Sequence, residues 1–301
     1  MPAFGATVRA MARTYLKAAI VLVAALALAA GASAASPDVA KMNLQAADVP
    51  GAKIVSQRAV TERGYIAAYD RTFRFAVPSG SSRLVGVEAE TKLGATAAVA
   101  TSDISVLEKT FRSTLGRKVL IATIAKTAKV KPAAVVVGRL RKAAGYDQGF
   151  VLPISFPVKG TRIYENFVYL RLDRVAVFMF EVGLRPITPG ATGTYVAALA
   201  GHIGTELAPV AVSPPTVTGT AQQGQTLTAT PGTWTAPDAT FTYQWQHCDA
   251  AGANCADVTG ATAETYAVTP ADVGTTLVVV VTASNRFGAL PAPSAATLVV
   301  S

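Results

Sequence analysis

Two histidines and two cysteines are the residues of this chain best suited to chemistry, and their placement restricts what that chemistry is. Cys248 and Cys255 are an isolated pair, which in an exported chain forms a disulfide. The loop they close is short, so the stabilisation sits at the low end, about 2 kcal/mol. His247 beside Cys248 raises a metal site as the alternative, but structural zinc takes four Cys or His ligands and only three candidates stand here. No metal and no cofactor is therefore expected. His202 falls in a helical stretch with no serine and carboxylate pattern around it, and reads as a surface or interface histidine rather than a base. The chain has no HExxH, no nucleophile elbow and no phosphate-binding glycine loop. Tyr65, Tyr69, Asp70 and Glu88 could form an acid pair across a hairpin, and read as surface residues. No catalytic residue is assigned, and a non-enzyme is expected.

One polar feature stands out from the background. Lys109, Arg112, Arg117, Lys118, Lys126, Lys129, Lys131, Arg139, Arg141 and Lys142 follow one another with no acidic residue between them. The plain reading is a solvated face. The sharper one is a patch for an anionic partner, such as a phosphate-bearing wall polymer or anionic lipid headgroups, whose binding would weaken steeply with salt. Nucleic acid is not expected, because aromatic side chains do not interleave with these cations and the chain reads as exported.

Export is read from the N-terminus. Arg9, Arg13 and Lys17 precede an apolar run, Ala18 to Ala30, and Ala32-Ser33-Ala34 offers a cleavage site, so that residues 1–35 form a signal peptide. The run is shorter than the roughly 20 residues of a membrane span, although an uncleaved anchor stays open. No cysteine stands near the cleavage site to carry a lipid, and a secreted or cell-surface protein is expected. Charge divides the rest. Residues 37–211 hold 23 of the 27 Lys and Arg and 13 of the 18 Asp and Glu, a net charge of +10, whereas 212–301 carry one base and five acids, a net charge of −4. The expected organisation is a basic domain over 37–208, a proline-rich linker over 209–215 that allows relative motion, and a second domain over 216–301.

In the basic domain, Tyr65–Phe75 and Leu84–Thr91 read as strands joined at Pro78–Ser82. Ile104, Leu107, Phe111 and Leu115 recur at helical spacing, with Asp103 as cap or Ser105 and Glu108 as a capping box, and Gly116 interrupts before a second helix over Val119–Ala128. Val135–Arg141 and Phe150–Val158 are strand-like, the latter with internal prolines that favour an edge. Ile163–Leu172 and Val175–Val182 form a hairpin turning at Asp173-Arg174; the second strand, and the first from Phe167 onward, are apolar at most positions and want cover on both faces. Val196, Leu199, Ile203 and Leu207 make a last helix. Strands, helix, strands, helix is the pattern of an α+β domain, an antiparallel sheet with helices.

In the second domain, Thr216–Gly219, Gln225–Thr230, Phe241–Cys248, Tyr266–Val268, Thr275–Ala283 and Ala296–Val300 read as short strands at sandwich spacing. Gly224-Gln225-Thr226-Leu227-Thr228, Pro231-Gly232-Thr233-Trp234, Tyr243-Gln244-Trp245-Gln246, Asp272-Val273-Gly274 and Ala283-Ser284-Asn285 together resemble the immunoglobulin-like repeats of bacterial surface and exported proteins. The resemblance implies an all-β sandwich with Trp245 as the buried tryptophan, and Leu227 and Val279 or Val281 where antibody-type domains carry a disulfide. Trp234 is expected in the core, with a sugar-stacking platform as its alternative. In the basic domain, Ala47-Asp48-Val49-Pro50-Gly51, Gly116-Arg117-Lys118, Arg174-Val175-Ala176-Val177 and the terminal helix resemble the exported α+β domains of actinobacterial lipoproteins and kinase sensors, of PsbP-like architecture. That resemblance implies binding or sensing in the envelope. The expectation is an exported, non-enzymatic binding, adhesion or sensor-type protein, with a possible protein partner on the immunoglobulin-like module. A lipid or small-ligand carrier with a cavity along Phe167–Leu172 and Val175–Val182 is the alternative, and a cell-wall hydrolase ranks third.

Overall fold

The computed structural model describes residues 37–301 apart from Arg63 and Pro237. The expected signal segment lies outside the described residues. Two compact units are present, Asp38–Ile203 and Gly204–Ser301.

In the first unit a short helix α1 (Val39–Met42) leads to strands β1 (Ala52–Val60), β2 (Tyr65–Ser79) and β3 (Leu84–Gly94). Two helices follow, α2 (Ala97–Arg112) and α3 (Thr114–Ala128), then the two-residue strands β4 (Val136–Val137) and β5 (Arg141–Lys142). Strands β6 (Gln148–Val158), β7 (Thr161–Leu172) and β8 (Val175–Gly183) precede the last helix, α4 (Pro189–Leu207), most of which, up to Ile203, belongs to this unit. All pairings are antiparallel, in the order β1-β2-β3-β8-β7-β6-β4, with β5 also on β6. This is α+β architecture.

The core explains why β7 and β8 are so apolar. Phe150, Phe167, Tyr169, Phe178 and Phe180 alternate onto one face and meet Ile104, Leu107 and Phe111 of α2. Phe111 stands edge-on to Phe150 at 5.9 Å and to Phe167 at 5.4 Å, and Tyr169 is edge-on to Phe178 at 4.1 Å. The strands expected to line a cavity therefore line a packed aromatic core instead. Residues of the opposite parity, Asn166 and Glu181 among them, point to the other face, where Thr192 of α4 bonds them.

Several local expectations are corrected. Helix α2 starts at Ala97, and Asp103 accepts a 2.6 Å hydrogen bond from the Tyr65 hydroxyl instead of capping it. Glu108 pairs with Arg112 at 2.7 Å rather than completing a capping box. The break before the second helix comes at Ser113, which is extended and whose Oγ accepts from Gly116 N at 2.9 Å, so α3 begins earlier than Val119. Gly116 sits inside the first turn of α3, where a Cβ would lie 2.1 Å from the Thr110 carbonyl oxygen. This re-nucleation turns Leu115 outward, 72% exposed, instead of continuing the buried face. Val135–Arg141 pairs only at its two ends, and β6 is one place in from the edge. Its Pro153 is tolerated because it faces the gap between β4 and β5, where its carbonyl accepts from Gly138 N at 2.8 Å. Strand β1 was not expected. Asp70, read as surface, is buried and lies 3.7 Å from Arg58.

Among the described residues the second unit holds nine strands: β9 (Ala211–Ser213), β10 (Thr216–Thr218), β11 (Thr226–Thr230), β12 (Thr233–Trp234), β13 (Thr240–Cys248), β14 (Ala256–Asp257), β15 (Thr265–Ala267), β16 (Thr276–Asn285) and β17 (Gly288–Pro293). They form three sheets, β10-β11-β15, β14-β13-β16-β17 and β12-β9. Leu227 and Tyr266 from the first sheet pack with Trp245, Leu277, Val279 and Val281 from the second. Trp245 is fully buried and stacks on Tyr266 at 5.4 Å. Trp234 is 7% exposed and packs against Ala283 and Ala292, which leaves no ring face for sugar stacking. Residues 209–215, read as a linker, contain β9, which pairs with β12. The final strand is Gly288–Pro293; residues 296–300 are not in a strand, although Thr297 and Leu277 exchange two bonds of 2.9 Å and Val300 is buried in the core with Leu277 and Trp245.

Cys248 and Cys255 form a disulfide. His247 turns to Asp272 instead of toward the sulfurs, and among the described residues no group of three metal-ligating side chains occurs. The bridge closes a short loop at the end of β13. Replacing both cysteines by serine should lower the stability of this unit by about 2 kcal/mol, measured by urea unfolding. A loss of more than about 4 kcal/mol would mean that the bridge holds more than its own loop.

Candidate ligand-binding cleft

The cleft is a consequence of how the chain leaves and rejoins the sheet between β4 and β6. Gly138 approaches Pro153 so closely that a Cβ would meet Pro153 Cγ at 2.7 Å. The chain steps out over 138–140 and returns at β5, where Arg141 lies opposite Val151 and Lys142 opposite Phe150. It then turns through Gly145, whose φ of +82° only glycine adopts without strain. Tyr146 closes the turn by donating its hydroxyl to the Val196 carbonyl of α4 at 2.7 Å.

Between this segment and α4 lies a cleft of about 590 Å³. Its room comes from small side chains on both walls: Ala143, Ala144 and Gly145 on one side, Gly193, Ala197 and Ala200 on the other. Val151, Pro189 and Val196 add apolar wall beside Tyr146 and Thr192, and among the described residues Arg141 and Lys142 are the charged ones that line it. A second cleft of about 230 Å³ is lined by Arg139, Glu165 and Asn166 among others. Arg141 lines both.

A buried polar cluster joins the two. Glu181 is fully buried, and its Oε2 accepts from Thr192 Oγ1 at 2.5 Å and from Asn166 Nδ2 at 3.2 Å. Asn166 Nδ2 also donates to Thr192 Oγ1 at 2.8 Å. Thr192 lines the larger cleft and Asn166 the smaller. Burial pushes the Glu181 carboxyl up to about 7, against the opposing pull of Thr192, Asn166 and the Arg141 charge. Glu181 Oε1 and Arg141 Nε are buried without a partner, so the cluster holds an unmet donor on its cationic member.

The ten basic residues do not converge on this site. Arg139, Arg141 and Lys142 stand at the clefts. Arg117 turns inward and donates to the carbonyls of Val137 (2.5 Å) and Gly138 (2.8 Å), holding the edge segment in place. Arg112 pairs with Glu108. Lys109, Lys118, Lys126, Lys129 and Lys131 are exposed on and after α2 and α3. His202 hydrogen-bonds Asp48 at 2.9 Å, and the same carboxylate oxygen accepts from Gln45 N at 2.6 Å. That pair ties α4 to the turn before β1, and neither residue lines either cleft.

No protein-family model matches this chain, and no curated protein matches it. Among solved structures it is distantly similar to the crystal structure of the extracellular domain of PknH from Mycobacterium tuberculosis, with 11% identity and a TM-score of 0.37 over 57% of this chain and 97% of that one.

Proposed function

We propose that the chain is an exported, non-enzymatic binding protein of sensor or carrier type. Its α+β unit takes a small amphiphile with an anionic head, and its C-terminal unit, read as an immunoglobulin-like module, extends or docks it. The observation that carries this reading is a cleft of about 590 Å³ with largely apolar walls, in which Arg141 and Lys142 are the charged groups among the described residues. That volume lies in the range of small-molecule sites, and a few convergent polar groups on apolar walls are their usual make-up. The head would sit on Arg141 and Lys142 and the tail along Val196, Ala197 and Ala200. Binding is favoured over turnover because the lining brings no carboxylate, histidine or thiol to the ligand. The disulfide supports an oxidising, extracytoplasmic setting.

Calorimetric titration with decanoate and decanol tests this. Decanoate should bind better than decanol. Arg141→Ala with Lys142→Ala should weaken decanoate by about tenfold or more, the size of a lost charge-assisted contact. Ala197→Trp, at an exposed position in the wall, should abolish both. Equal decanoate affinity in all three proteins would place the ligand elsewhere.

A further inference from the structure

We infer that the outward face of α3 is a docking surface for an anionic lipid bilayer. The surface is independent of the cleft. Leu115, Val119, Ala122 and Lys126 are three or four residues apart and form one exposed stripe, with Lys118 and Lys129 along one side of it. Leu115 is 72% and Val119 58% exposed, large values for branched apolar side chains on a helix whose inner residues, Ile124, Ala125 and Ala128, are buried. Val106 on α2, 40% exposed, lies one turn before the exposed Lys109.

Charge complementarity selects the occupant. Among the described residues, none of Lys109, Lys118, Lys126, Lys129 and Lys131 is in an ion pair. The two acidic residues of the helix pair are both committed, Glu108 to Arg112 and Asp103 to the Tyr65 hydroxyl. A free polyanion would reward the lysines alone. A bilayer also rewards the leucine and valine, which enter the headgroup region while the lysines stay with the phosphates. Lys126 and Lys129 stand in the last turn and at the C-cap, where they also suit the helix dipole.

The test uses the full chain with Ala122→Cys carrying an environment-sensitive fluorophore; the native cysteines are already paired. Phosphatidylcholine vesicles with about one third phosphatidylglycerol should shift its emission to the blue, and vesicles of phosphatidylcholine alone should not. A label at Gln57→Cys on β1 should stay unchanged with both. Each lysine near an anionic surface adds about fivefold to partitioning. The triple replacement Lys118→Ser, Lys126→Ser, Lys129→Ser should therefore cut it by about a hundredfold at low salt. Leu115→Ser with Val119→Ser should cut it by about tenfold. Equal shifts on neutral vesicles overturn the inference. So does a lysine-dependent shift that the Leu115 and Val119 replacements leave intact, since that is the behaviour of a surface for soluble polyanions.

Discussion

Replacing Asp272 by alanine is expected to lower the stability of the C-terminal unit by about 3 kcal/mol, a fall of roughly 12–24 °C in its melting temperature. The side chain is fully buried and gathers donors from three places. Its Oδ2 accepts from Thr269 N (2.6 Å) and Thr269 Oγ1 (2.8 Å), the Tyr266 hydroxyl reaches both oxygens at 3.0 and 3.1 Å, and His247 of β13 bonds Oδ1. Alanine leaves the buried Tyr266 hydroxyl without its acceptor and returns the half-buried His247 and the exposed Thr269 to water, and an unmet buried donor costs more than the bond it once made is worth. The carboxylate also joins β13 to β15 and to the turn before β16, so its loss loosens both large sheets at once. The sign with pH follows. Burial pushes the Asp272 carboxyl up, but the bonds from Thr269, His247 and Tyr266 outweigh it and leave the group below its usual value. A carboxyl lowered on folding stabilises above its unfolded pKa, about 3.9, and that stabilisation is lost as pH falls through the lowered value. Acid should therefore weaken the wild-type unit toward the variant. Calorimetry at pH 7 and pH 3 measures both. A change of under 5 °C at pH 7 would show that the donors find other partners.

The sequence was most readable where burial is one-sided or complete. Val175–Val182, and the preceding strand from Phe167 to Leu172, are apolar at most positions on either side of Asp173-Arg174, and the structure turns there with Asp173 at φ +54°. Strand β1 escaped because it is an edge strand with most positions exposed, and so carries no alternation to read. Leu115 fitted the period of α2, but Ser113 ends that helix and starts another, a local hydrogen bond overriding the apolar rhythm. The cleft was hidden for a different reason. It is made by what is missing from Ala143, Ala144, Gly193, Ala197 and Ala200, and small residues signal nothing until two walls face each other. The signal that could have been used was Glu181, a single carboxylate inside an otherwise apolar strand, since burying a charge without cause is costly.

Glu165 and Glu181 give the α+β unit the opposite response to pH. Cross-strand register sets Glu165 between Ile154 and Val182, and burial alone pushes its carboxyl up to about 7. Burial pushes Glu181 up to about 7 as well. Both have an ordinary value of 4.5. A carboxyl raised on folding favours the folded state fully below its unfolded pKa, and that advantage is lost as pH climbs through the raised value. Each is worth about 3 kcal/mol between pH 4.5 and pH 8. Glu165→Gln and Glu181→Gln should therefore each raise stability at pH 8 by up to about 3 kcal/mol and change little at pH 5, read from urea unfolding of the α+β unit in the full chain. A gain of equal size at both pH values would mean that packing of the amide, not release from a buried charge, is responsible. Glutamine at 181 also keeps an acceptor for Thr192, so the geometry of the cluster is retained while the charge is removed. The Arg141 charge pulls the Glu181 carboxyl down, so replacing Arg141 by alanine should raise it further.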